Sequence, residues 1–123
     1  MSELSPHLLA AGGGAVGASL RWSATLLAAR WRIPVWWAIL IVNTVGCLAL
    51  GALAGAVRGT ELEAFLLVGL LGGFTTFSTA SLDVWVLWRS GERGNAACCL
   101  FATPMLAIAA MLLGVAIGQG GMA

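Results

Sequence analysis

Eight consecutive residues, Gly72-Gly73-Phe74-Thr75-Thr76-Phe77-Ser78-Thr79, concentrate the groups in this chain that could do chemistry. Thr75, Thr76, Ser78, Thr79 and Ser81 crowd five hydroxyls into residues 75–81, with Phe77 threaded among them. The run sits inside an otherwise apolar segment. Two adjacent glycines weaken helix there, because glycine loses more backbone entropy on ordering than other residues. In hydrocarbon a backbone group released from a helix must find another partner. A break is therefore tolerated only where it is buried in protein or lines a cavity holding water or ions. Two readings follow: a broken helix that lines a route, or a kinked helix whose hydroxyls bond their own carbonyls one turn back.

Three further polar side chains lie inside apolar segments. Arg21 is about eight residues from the end of the first, roughly 12 Å at 1.5 Å per residue. It either snorkels to the interface or faces a wet vestibule and attracts anions. Asn43 lies within the second, where its amide either bonds a neighbouring helix or donates to an anion. Asp83 follows the glycine run, where it either orients the second half of a broken helix or titrates during transport. Cys47, Cys98 and Cys99 are odd in number and lack C-x-x-C spacing, so they read as small packing residues. His7 is the single histidine and reads as interfacial. No His/Cys/Asp constellation or phosphate-binding glycine loop points to an enzyme.

The elements that must position these groups are membrane helices. Of 123 residues, 60% are hydrophobic and only 9% charged. A soluble domain carries roughly 25% charged residues, so this composition reads as an integral membrane protein. Net charge is +1, which gives no basic surface for nucleic acid. Four apolar stretches, residues 8–29, 34–57, 64–88 and 96–118, are each close to the ~20 residues that span a bilayer. The third should be broken near 72–78. The whole chain, 1–123, reads as one four-helix membrane domain. No signal peptide is expected, since the first apolar run continues past Arg21 without a typical cleavage site.

Short connections make neighbouring helices antiparallel. Trp31, Trp36 and Trp37 open the second span, and Trp85 and Trp88 close the third, where an aromatic belt would sit. The pairs Gly13/Gly17, Gly51/Gly55 and Gly69/Gly73 have the G-x-x-x-G spacing that lets helix backbones approach closely in lipid. That approach is either within the chain or in a dimer. Four helices make a thin bundle, so an oligomer is expected. The first and third loops carry Arg30, Arg32, Arg89 and Arg93, and the opposite side carries only Arg58. This bias favours insertion with both termini outside.

Gly13-Gly14-Ala15-Val16-Gly17 with Leu20-Arg21-Trp22, then Val42-Asn43 with Gly46, then the Gly72–Thr79 run resemble the Fluc-type (CrcB) fluoride channels. Order and spacing agree over essentially the whole chain. The resemblance implies an all-α membrane protein whose four-helix subunits pair in opposite orientations in the cell inner (plasma) membrane. It implies a passive fluoride channel with a structural sodium ion at the centre of the dimer. The sodium would be held by backbone carbonyls at the positions of Gly72 and Thr75. Fluoride would meet Arg21, Asn43, Thr76, Phe77, Ser78 and Thr79.

The residue types suit that task. Fluoride is a small, strongly hydrated acceptor, so a pore must replace its water with amide and hydroxyl donors. A phenyl ring offers a positive edge without a trapping charge. Four positions depart from the family pattern: Ala80 stands for a second pore phenylalanine, Ile39 for a threonine, and Ala107 and Met111 for hydroxyl residues of the last helix. Two other readings remain open beside the self-sufficient channel. One is a pore-impaired homologue or a partner subunit of a heterodimer. The other is a small proton-coupled antiporter, for which Asp83 is the candidate carboxylate.

Overall fold

The computed structural model describes residues 3–121, and these fold entirely as helices and short connections. Helix α1 spans Leu4–Arg30, α2 spans Val35–Val57, and α3 comprises Glu63–Leu71 with its last turn Gly72–Phe74. Helix α4 spans Ser78–Arg89, and α5 spans Arg93–Gly121. Among the described residues three stretches are long and apolar enough to cross a membrane, Val35–Val57, Glu63–Arg89 and Arg93–Gly121, and the first expected span is not among them. The second of these is α3 and α4 taken together, interrupted at residues 75–77. Helix α1 has 27 residues and carries Ser19, Ser23 and Thr25. Each of these hydroxyls donates to a carbonyl three or four residues back.

Glycine seams decide which helices meet. Gly13 and Gly17 of α1 are buried, and a Cβ on either would overlap the backbone of residues 65–74. The complementary positions on α3 are Gly69 and Gly73, where a Cβ would fall 2.5 Å from the carbonyl oxygens of Ala10 and Gly14 respectively. Two backbones therefore touch directly, which is how packing without a hydrophobic drive gains its contact. A second seam joins α2 to α5, the most extensive helix pair in the chain. Here Gly51 faces Met111 and Val115, and Gly114 faces Leu48 and Ala52. Gly55 lies on an exposed part of α2, so of the Gly51/Gly55 pair Gly51 alone meets Gly114 of α5.

Residues Glu63–Leu71 are wound as π-helix, nine residues long. Such winding usually occupies a single turn and often marks a functional site. Helix α5 runs unbroken through Pro104. The loops at one end close by the same device. After α1, the N–H groups of Arg32 and Ile33 reach back to Ala29 and Ala28, and Arg32 adopts φ 57°. After α4, the N–H groups of Gly91 and Glu92 reach back to Trp88 and Leu87, and Gly91 adopts φ 86°. Both are Schellman caps with a left-handed residue just past the helix. Next to them Trp36, Leu40, Leu87, Ala96 and Cys99 form a buried cluster that ties α2, α4 and α5 together.

Candidate functional site

The interruption at 75–77 is held open by a side chain of another helix. Asn43 is only 6% exposed, and its carboxamide pairs with both backbone groups of Thr76. Nδ2 donates to the Thr76 carbonyl at 2.8 Å, and the Thr76 N–H donates to Oδ1 at 2.7 Å. The amide thus supplies the donor and the acceptor that a continuous helix would have supplied. One turn further along α2, Gly46 leaves room for the break itself. A Cβ there would meet the Thr75 methyl at 2.5 Å and the Phe74 ring at 3.1 Å. Asn43 and Gly46 are one helical turn apart and face the same way, so one clamps the break while the other seats it.

Helix α3 ends on its own terms at Thr75, whose N–H and hydroxyl both donate to the Leu71 carbonyl at 2.9 Å. Because the Thr76 N–H is engaged by Asn43, the Gly72 carbonyl loses its ordinary helical partner. Among the described residues no N–H donates to the carbonyls of Gly72 or Thr75. Two hard oxygen donors are therefore free at this point, the donor type that a sodium ion accepts.

Helix α4 begins with a chain of hydroxyls. The Thr76 hydroxyl lies 3.2 Å from that of Ser78, donates to that of Thr79 at 3.3 Å, and accepts the Thr79 N–H at 3.3 Å. That last bond satisfies one of the N–H groups that a helix leaves open at its start. Arg21 reaches this chain from α1, with a guanidinium nitrogen 3.5 Å from the Thr79 hydroxyl. Asn43, Thr76, Ser78, Thr79 and Arg21, separate in sequence, are thus joined in one polar network. Phe77 is not part of it: its ring points outward and is 83% exposed.

Phe77 and Asn43 border a groove of about 290 Å³ between α2, α4 and α5. Ala80 and Ala107 also line it, so two of the family departures leave space where larger side chains would stand. Ile39 is buried at 1% exposure and Met111 is exposed, and neither lines the groove. Sequence reasoning missed Thr103 in the wall, and Cys99, read as a small packing residue, packs beside it. Both are buried on α5, and the Cys99 thiol lies 3.8 Å from the Ala80 carbonyl and 3.9 Å from the Thr103 hydroxyl. A hydroxyl one turn from a thiol in an apolar helix was the available signal. Asp83 sits outside this network, and one of its carboxylate oxygens is buried without a hydrogen-bond partner among the described residues.

A break clamped by an amide, with hydroxyls, an arginine and free carbonyls around it, can strip and carry a small ion. It offers no nucleophile paired with a base. The chain resembles known proteins over most of its length. The chain is 40% identical over 111 residues to the fluoride-specific ion channel FluC of Paracoccus denitrificans, covering 88% of this chain and 90% of that one. It is 44% identical over 120 residues to the protein of the same name from Hyphomonas neptunium, covering 91% and 94%. With that of Rhodospirillum centenum it shares 40% identity over 116 residues, covering 89% and 92%. The model of the CrcB-like proteins (camphor resistance, CrcB) matches residues 8–115, a span that includes the glycine seam, Asn43 and the whole break, and the chain belongs to that family.

Proposed function

We propose that this protein is a passive channel that exports fluoride across the cell membrane. The observation that carries the reading is the Asn43 clamp on Thr76. It opens a helix in mid-span and sets an amide, three hydroxyls and a guanidinium around the opening. One N–H of the Asn43 amide remains beyond its bond to Thr76, since a carboxamide has two to give. With the Thr76, Ser78 and Thr79 hydroxyls it can replace the water of a fluoride ion, and Phe77 offers ring-edge hydrogens from the exposed side. All these donors except Arg21 are neutral, which suits an ion that must also leave. The names of the relatives, fluoride-specific ion channels, support the same substrate.

In this reading α1, α2, the α3–α4 pair and α5 all cross the inner membrane. Two copies associate in opposite orientations, and the exposed ring of Phe77 belongs to the surface they share. The free carbonyls of Gly72 and Thr75 would hold a structural sodium ion, which neutralises the cluster of carbonyl dipoles at the break. An alternative has a specific observation behind it. Ala80 and Ala107 leave the groove without the ring and the hydroxyl that the family pattern puts there, as in a subunit that conducts only beside a homologous partner. The antiporter reading has less support, because Asp83 stands apart from the network at the break. The test is reconstitution of the purified chain in liposomes loaded with fluoride or chloride. Fluoride should drain within seconds to minutes and chloride should stay. Retention of both ions by the pure chain, with efflux restored by a homologous partner, would favour the heterodimer.

A further inference from the structure

We propose that the end of the subunit formed by the loops after α1 and α4 is a binding site for anionic phospholipid headgroups. The buried cluster of Trp36, Leu87 and Ala96 brings the two loops side by side. The loops and the helix ends that flank them carry Arg30, Arg32, Arg89 and Arg93, all exposed, against a single glutamate. That glutamate, Glu92, is engaged by the Asn95 amide at 2.7 Å. Two of the guanidinium groups sit over indole rings: Arg89 lies 5.4 Å from the Trp85 ring centre, and Arg93 lies 5.2 Å from that of Trp88. The cation–π contact holds each cation beside its ring, and a guanidinium can grip a phosphate through two N–H groups at once. Tryptophan is also the side chain that settles at the headgroup level, so the shelf stands at the depth of lipid phosphates.

Arg32 adds an independent observation. It occupies the left-handed position that Gly91 fills in the matching loop, at φ 57°. An arginine there is strained where glycine would not be, yet it adds a guanidinium to this end. Among the described residues the opposite end holds Arg58 with Glu61 and Glu63 and has no such shelf. Anionic lipid is the occupant that fits, because the site is polybasic, indole-floored and placed at the membrane surface. In an antiparallel pair one such site would face each leaflet. The inference rests on the membrane reading and is independent of fluoride passage.

Native mass spectrometry of the detergent-purified chain, with added phosphatidylglycerol or phosphatidylcholine of the same acyl length, tests it. Phosphatidylglycerol should be retained preferentially. Arg89→Gln/Arg93→Gln should reduce that preference on the order of tenfold, and Arg30→Gln/Arg32→Gln should act in the same direction should the first pair misfold. Arg58→Gln should change nothing. Equal retention of the two lipids, an equal loss with Arg58→Gln, or inorganic phosphate displacing the lipid at equal concentration would each overturn the proposal. Fluoride efflux plays no part in the readout, so the two readings fail separately.

Discussion

Replacing Asn43 by leucine, a side chain of similar size, deletes both hydrogen bonds to Thr76 and leaves that residue's N–H and carbonyl without partners. A buried polar group left unpaired costs about 1–3 kcal/mol. Polar contacts between membrane helices average lower, about 0.6 kcal/mol, because the unfolded chain in lipid finds other partners. Taking about 1 kcal/mol for each bond, Asn43→Leu should destabilise the subunit by about 2 kcal/mol, or about thirtyfold in the equilibrium for opening the break. Asn43→Asp keeps the acceptor for the Thr76 N–H but turns an oxygen toward the Thr76 carbonyl, so it should fall between parent and Asn43→Leu. Equilibrium unfolding in detergent gives the global value, and hydrogen exchange at the Thr76 amide gives the local one. Exchange at that amide should accelerate about thirtyfold in Asn43→Leu. Unfolding within about 0.5 kcal/mol of the parent together with unchanged exchange at Thr76 would refute the clamp, since ordinary surface substitutions cause no more than that.

Other outcomes follow from the same geometry. Gly17→Ala drives a Cβ into the Leu70 carbonyl and the Phe74 N–H, so it should cost about 1–3 kcal/mol as an overpacked contact. Gly12→Ala meets open space and should be neutral or slightly stabilising by helix propensity; equal effects in a thermal melt would contradict the seam. Thr75→Ser preserves the hydroxyl bond to Leu71 and the backbone carbonyl, so it should leave sodium dependence of stability unchanged, which a melt with and without sodium can read. A topology reporter at the C-terminus should score most copies with termini outside, because four loop arginines face one, so the minority orientation limits how many antiparallel pairs of identical chains form. An even split would remove the charge argument.

The all-helical, membrane-spanning character was legible because composition and apolar run length are strong signals. The site of the interruption was legible from the cluster of hydroxyls, but Gly72 and Gly73 stay helical and the break falls after them, at residues 75–77. Helix ends were less so. Helix α5 starts at Arg93 and continues to Gly121, beyond the apolar run 96–118, since hydropathy reads the bilayer while backbone bonding continues into the interface. The π winding of Glu63–Leu71 left no mark in the sequence, because apolar side chains satisfy either helix equally. Asn43 announced a buried partner without naming it, and only the fold supplies Thr76. Gly51 likewise announced close approach, but its partner Gly114 lies 63 positions away, beyond any local spacing rule.

The most direct test of the central claim is fluoride efflux from liposomes, read with a fluoride electrode, for the parent and for Phe77→Ile. The exposed ring makes little of the subunit's own core, so Phe77→Ile should unfold within about 0.5 kcal/mol of the parent and still purify in the same oligomeric state. The account predicts that the parent empties the liposomes and that Phe77→Ile leaves them loaded. A folded Phe77→Ile variant that drains fluoride as fast as the parent would contradict a fluoride route along the break.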